Sequence, residues 1–312
     1  MMTRADLHVH TWHSTQSGAL QFLRSRDCYS APEDVYNTAR ARGMDFVTFT
    51  DHDSLDGCLE FLERHPDATD FICGEEVSCR FPDGDIEVHL GVYGMTEALH
   101  RDLQPLRPNV FDVIARLQQA DVFFALNHFL HFYRGQTPLD AYLRLLRDVP
   151  ALEVRNGAML PAHNALLERS ARTAPGWSAI GGSDAHTLRR VARTWTEVPG
   201  AHTADAFLAG LRAGTCRPGG VNGSALAISG DVYGVVGRYM ASLAGIGRSD
   251  HAPLARVACA AFSVASLPFQ FIPLLVAIVT KTRERRQVIR LTEALESLEP
   301  RVAGAIAAQS AE

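Results

Sequence analysis

The sequence predicts an α/β protein with parallel strands, arranged as a barrel or an open sheet. Two observations carry that expectation. Short apolar, β-branched or aromatic runs alternate with helical stretches over roughly the first 200 residues. Most of those runs also end in a histidine or an acid, and the carboxyl ends of strands are where functional residues gather in such architectures. At 312 residues, the chain accommodates one large α/β domain with an appendage, or two domains.

The first run, Asp6-Leu7-His8-Val9-His10, reads as a strand that places His8 and His10 on one face. Two histidines so spaced can grip one metal ion, and two hydrogen-bonded histidines would give the same short pattern. A polar run follows, and Ser30 reads as the N-cap of a helix with Pro32, Glu33 and Asp34 in its first turn and a stop at Gly43. Asp45 to Thr50 is a strand delivering Asp51-His52-Asp53. After a helix over about 55–63, the strand Phe71 to Gly74 runs into Glu75-Glu76-Val77-Ser78. A Pro82-Asp83-Gly84 turn then leads to a strand from Ile86 to Tyr93 that contains His89. Helices over 110–119, 139–147 and 162–172 alternate with strands ending at Asn127-His128, at Arg155-Asn156 and at Gly182-Ser183-Asp184-Ala185-His186.

Beyond about Gly200 the character changes. Residues 203–213 read as a helix with a Thr cap, and the loop 218–224 is expected to close a first domain, 1–220. The remainder, 221–312, reads as a mainly helical extension. Its stretch 257–280 carries no charged side chain, which exceeds the roughly 20 residues needed to span a bilayer. Pro268, Gln270 and Pro273 favour two shorter helices instead, packed on the barrel or lying at a membrane surface. A last helix over about 283–298 shows Val288, Leu291, Leu295 and Leu298 at helical spacing, the pattern of a docking face.

A net charge of -5 excludes the broad basic surface that nonspecific nucleic-acid binding requires, so no stable nucleic-acid complex is expected. The six cysteines form no CxxC pair and fit a reducing cytoplasm. No signal peptide is expected, and 257–286 leaves peripheral membrane contact open. His8, His10, His52, Glu76, His89, His128, Asp184 and His186 all lie on or just after expected strands, so in a closed barrel they converge at one mouth. Imidazole with carboxylate suits Zn, Mn or Fe, in sufficient number for two or three ions. Such ions lower the pKa of bound water and clamp phosphoryl oxygens, which is hydrolytic chemistry without a Ser or Cys nucleophile.

Taken together, Asp6-Leu-His-Val-His-Thr11, Thr50-Asp-His-Asp53, Gly74-Glu-Glu-Val-Ser78, Val88-His-Leu-Gly91, Asn127-His128 and Gly182-Ser-Asp-Ala-His-Thr187 resemble the PHP (polymerase and histidinol phosphatase) family of metal-dependent phosphoesterases. The resemblance covers about residues 3–200. It implies a distorted (β/α)7 barrel in which those eight residues are ligands, with Glu76 bridging metals. Many members carry an Asp ligand where this chain has Thr15, so the third metal depends on His13 or an acid such as Asp27 reaching in. His131 and Asp51 are the candidates to act on substrate or move a proton; the plainer role of Asp51 is to fix its turn. Arg134 and Arg155 are the candidate phosphate contacts, although arginines after strands also form ordinary surface pairs. The leading expectation is hydrolysis of a small-molecule phosphate ester, a monoester before a diester, by a metal-bound hydroxide. An amidohydrolase-type reaction and a non-catalytic metal-binding module are the alternatives.

Overall fold

The fold comes from a computed structural model of the chain, which describes residues 2–14, 25–82, 86–129, 139–173, 176–247, 251–265, 268, 271, 274–275, 278–286 and 288–289, with side chains excepted at 139–143 and 173. Strand–helix alternation builds the first half. In chain order come β1 (Met2–Asp6), α1 (Pro32–Ala41), β2 (Phe46–Phe49), α2 (Asp56–Arg64), β3 (Phe71–Arg80) and β4 (Glu87–Tyr93). Then follow α3 (Glu97–Leu103), α4 (Val110–Gln119), β5 (Phe123–Leu126), α5 (Leu139–Asp148), β6 (Ala151–Asn156), α6 (Pro161–Thr173) and β7 (Ser178–Gly182). The chain continues as β8 (Thr194–Pro199), α7 (Ala204–Arg212), β9 (Arg217–Gly220), α8 (Ala225–Leu243) and α9 (Pro253–Ala265).

The nine strands form one sheet in the order β7-β6-β5-β4-β3-β2-β1-β8-β9. Past Asp6 the chain leaves β8 and turns to the continuation of β7. Asp184 N donates to His8 O at 2.7 Å and His10 N to Ala185 O at 3.1 Å, so β1 to β7 nearly close a barrel at their carboxyl ends. Gly182 permits this approach, because a Cβ there would stand 2.3 Å from that of His8. The distortion lies in β4. It returns antiparallel to β3 and pairs antiparallel with β5, whereas β1-β2-β3 and β5-β6-β7 are parallel.

One apolar cluster takes a residue from each ring strand: Ala5, Phe46, Ile72, Tyr93, Ala125, Ala151 and Ile180. Helix α7 adds Phe207 and Leu211 to it, and Thr203 caps that helix as expected, its side chain accepting from Ala206 N. Burying a side chain such as Phe207 contributes roughly 1.5–3 kcal/mol. Two further clusters fill the spaces between strands and outer helices.

Three expectations need correction. His8 and His10 lie beyond the end of β1, on an extended continuation whose one ladder contact among the described residues is at Val9. Ser30 is not the cap of α1; Ala31 is, with no side-chain bond, because Pro32 already occupies the first turn. Residues 217–220 do not form a loop but an edge strand on β8, where pairing overrides the poor strand propensity of Arg-Pro-Gly-Gly. Of the stretch 257–280, residues 257–265 belong to α9, and 266–267, 269–270, 272–273 and 276–277 lie outside the described residues. No helix among the described residues is long and apolar enough to cross a membrane. Most of the last expected helix falls outside the described residues, although Val288 is buried in the cluster around β3 to β6.

Candidate metal centre

The carboxyl ends of the ring strands deliver a dense set of imidazoles and carboxylates. At its middle is Glu76, fully buried on β3. Strand alternation separates the two adjacent glutamates, since Glu75 pairs with His100 of α3 at 2.8 Å, while Glu76 faces the barrel mouth. Glu76 Oε2 lies 3.0 Å from His8 Nε2, 3.2 Å from His52 Nδ1 and 3.4 Å from His10 Nε2. Its Oε1 lies 3.1 Å from His89 Nδ1 and 3.0 Å from His128 Nε2, and accepts from Asn127 Nδ2 at 3.0 Å. Asp184 Oδ1 closes the other side, 3.6 Å from both His8 Nε2 and His10 Nε2.

These atoms fall into four groups whose donors lie within 4.8 Å of one another: His8-His10-Glu76, His8-His128-Asp184, His52-Glu76-His89 and His10-Asp27-His52-His186. All eight residues expected to ligate are thus brought together. The ninth is Asp27. The chain carries Thr15 where the family pattern places an acid, and Thr15 lies outside the described residues. Asp27, further along the chain, is the acid that arrives, its Oδ2 3.6 Å from His186 Nε2 and 3.8 Å from His52 Nε2. His13 does not join; its Nε2 sits 2.6 Å from Glu60 Oε2.

Three observations test whether this set fits cations. His10 Nε2 is buried without a hydrogen-bond partner among the described residues, aimed between the oxygens of Glu76 and Asp184. Burial, reinforced for His10 by the neighbouring His186, pushes the imidazoles of His10 and His52 down, that of His52 to about 3, so both are neutral lone-pair donors. Burial opposes ionisation of Glu76, yet His8 and His89 outweigh it and hold the carboxyl well below its ordinary range. Buried anionic oxygens facing imidazole nitrogens are the donor set of a divalent ion. The residues fit.

A second tier fixes the first. His8 Nδ1 faces Glu153 Oε1 at 2.9 Å, which turns Nε2 toward the cluster, and Glu153 Oε2 accepts from His128 N and from Asn156 Nδ2, each at 2.9 Å. Asn156 Nδ2 also reaches Asp184 Oδ2 at 3.2 Å. Glu153 and Asn156 were not foreseen as functional; the signal was a lone acid inside the apolar run Ala151-Leu152-Glu153-Val154. His128 and Asp184 have φ of 24° and 50°, the left-handed region, a cost of about 1–3 kcal/mol each that the surrounding bonds must sustain.

The cluster opens on a cavity of about 410 Å³ whose barrel side is formed by Asp27, His52, His89, His128, Asp184 and His186. Asp51 does not line it. Its carboxylate accepts from Thr11 N at 2.6 Å and Thr11 Oγ1 at 2.7 Å, and burial pushes it up to about 7; the turn-fixing role is the one its contacts describe. Arg155 is absent from the lining too, because its guanidinium is held by Glu168 at 2.5 Å and Gly220 O at 3.0 Å. His131 and Arg134 lie outside the described residues. The cation on the lining is Lys281, the only lysine in the sequence.

A family model described as PHP-associated matches residues 163–216, the stretch that carries Asp184 and His186. No curated protein matches the chain. Among solved structures, PsfC from Pseudomonas syringae PB-5123 is similar at a TM-score of 0.50 and 18% identity, covering 77% of this chain and 99% of that one. A two-domain protein containing predicted PHP-like metal-dependent phosphoesterase, from Bacteroides vulgatus ATCC 8482, aligns at 0.49 and 17% over 71% of this chain and 65% of its own. The lesion-specific endonuclease PfuEndoQ from Pyrococcus furiosus aligns at 0.48 and 18% over 70% of this chain and 58% of its own. The chain therefore spans somewhat less than two thirds of these last two proteins. The family-model match covers 163–216 of this chain, and the likeness to PsfC is one of fold.

Proposed function

We propose that this PHP-type chain is a metal-dependent phosphoesterase that hydrolyses a small-molecule phosphate monoester. The observation that carries the reading is Glu76, a buried carboxylate with both oxygens among imidazoles and shared by two of the four donor groups at one cavity. His8, His10 and Glu76 would hold one ion, His52, Glu76 and His89 a second, and His10, Asp27, His52 and His186 offer a further position. Mn, Zn or Fe suits this nitrogen and oxygen set. When bound, such ions supply a water of lowered pKa and polarise a phosphoryl oxygen.

The chain's own residues do the rest. Glu153 and Asn156 keep His8 and Asp184 aimed at the cluster, and Asn127 holds Glu76 Oε1.

Purified protein with added Mn²⁺ should release phosphate from a panel of nucleoside, sugar, aryl and alkyl phosphates, and His10→Ala should abolish release. Metal-loaded protein that releases none from the whole panel would remove the phosphoesterase reading.

A further inference from the structure

The cavity has a second wall, made by helices rather than strands. Ile228, Val232, Val235 and Val236 of α8 line it at i, i+4, i+7 and i+8, a single helical stripe, with Ala158 and Met159 beside them. All four α8 side chains stay half-buried. A stripe packed for stability alone would be closed over, whereas this one faces a space of about 410 Å³ shared with the metal groups.

The polar groups of that wall are largely engaged already. Asp231 accepts from Thr187 Oγ1 at 3.0 Å and pairs with Arg189 and Arg190 at 3.1 and 3.3 Å. Lys281 Nζ donates to Ala158 O at 2.9 Å and meets Glu284 at 2.5 Å. Only the Thr280 hydroxyl is left without a partner among the described residues of that wall. A sugar or other hydroxyl-rich group placed there would set its hydroxyls unpaired against methyl groups.

Building on the phosphoesterase reading, we propose that the substrate is the phosphate ester of an apolar alcohol. Its phosphate lies on the metal side and its alkyl or aryl group lies along the α8 stripe.

The test is calorimetric binding of n-alkyl phosphonates, methyl through hexyl, to the full chain loaded with Mn²⁺, alongside phosphate release from hexyl phosphate and glycerol phosphate. Affinity should rise by up to about fourfold per methylene until the stripe is covered. Val232→Asp and Val235→Asp should flatten the series. Because a charge can disturb the packing of α8, Val232→Ala and Val235→Ala form a second arm and should reduce the gain per methylene. Affinity independent of chain length, with hexyl and glycerol phosphate hydrolysed equally, overturns this inference and leaves the phosphoesterase standing. Neither phosphonate binding nor phosphate release from any ester overturns both.

Discussion

The barrel side and the α8 side of one cavity hold their side chains in place by different means. On the barrel side, donors such as His52, Glu76 and His89 stand on or just past strands whose ladders fix the backbone, and carboxylates and amides behind them lock the rings. On the α8 side, aliphatic side chains supply shape and no bond, and α8 and the following α9 leave other apolar side chains in the open: Leu226 and Leu254 are each 84% exposed. A site that must hold charged atoms to a few tenths of an ångström is built where donors are fixed from behind by bonded partners. A surface that only displaces water from an organic group can be added by an amphipathic helix.

Glu76→Gln is the strongest way to break this contrast. It removes the charge from two donor groups and leaves the buried imidazoles facing a neutral amide, so bound metal should fall by more than one ion per chain. Phosphate release should drop more than about 100-fold, beyond the usual effect of losing an outer partner. Metal analysis after dialysis, with wild-type stoichiometry retained, would contradict the shared-carboxylate arrangement.

Asp27→Asn should act on one group alone. Since Asp27 belongs only to the set with His10, His52 and His186, the expected outcome is one ion fewer per chain with the other groups still loaded. An unchanged metal count would return Asp27 to a mere partner of Ser14, which donates to it at 3.0 Å.

The smallest effect belongs to the open helices. Leu254→Ser on α9 exchanges one exposed apolar side chain, so stability should shift within about 0.5 kcal/mol and metal content should not change. A loss of several °C in Tm by thermal denaturation would show that α9 is covered in solution.

Much of the centre was legible because its residues recur in short runs at strand ends. His8-Val9-His10, Asp51-His52 and Asp184-Ala185-His186 carry their chemistry within three residues. Glu153 was not legible, because a buried acid in an apolar strand looks the same whether it orients a histidine or pairs with an arginine. Arg155 misled for the converse reason: it lies inside β6 rather than past its end, and the register shift between Glu153 and Arg155 that sets its direction has no signature in the sequence.

The sequence by itself determined the alternation of strands and helices and the donors at the strand ends, since hydrophobic periodicity and residue chemistry are local properties; the choice of Glu76 over Glu75 came from the family resemblance. Tertiary structure alone decided that β4 runs backwards, that β8 and β9 extend the sheet, that Asp27 arrives where Thr15 cannot serve, and that α8 walls the cavity. Each of those depends on contacts between residues far apart in the chain, and no local pattern encodes the distance between them.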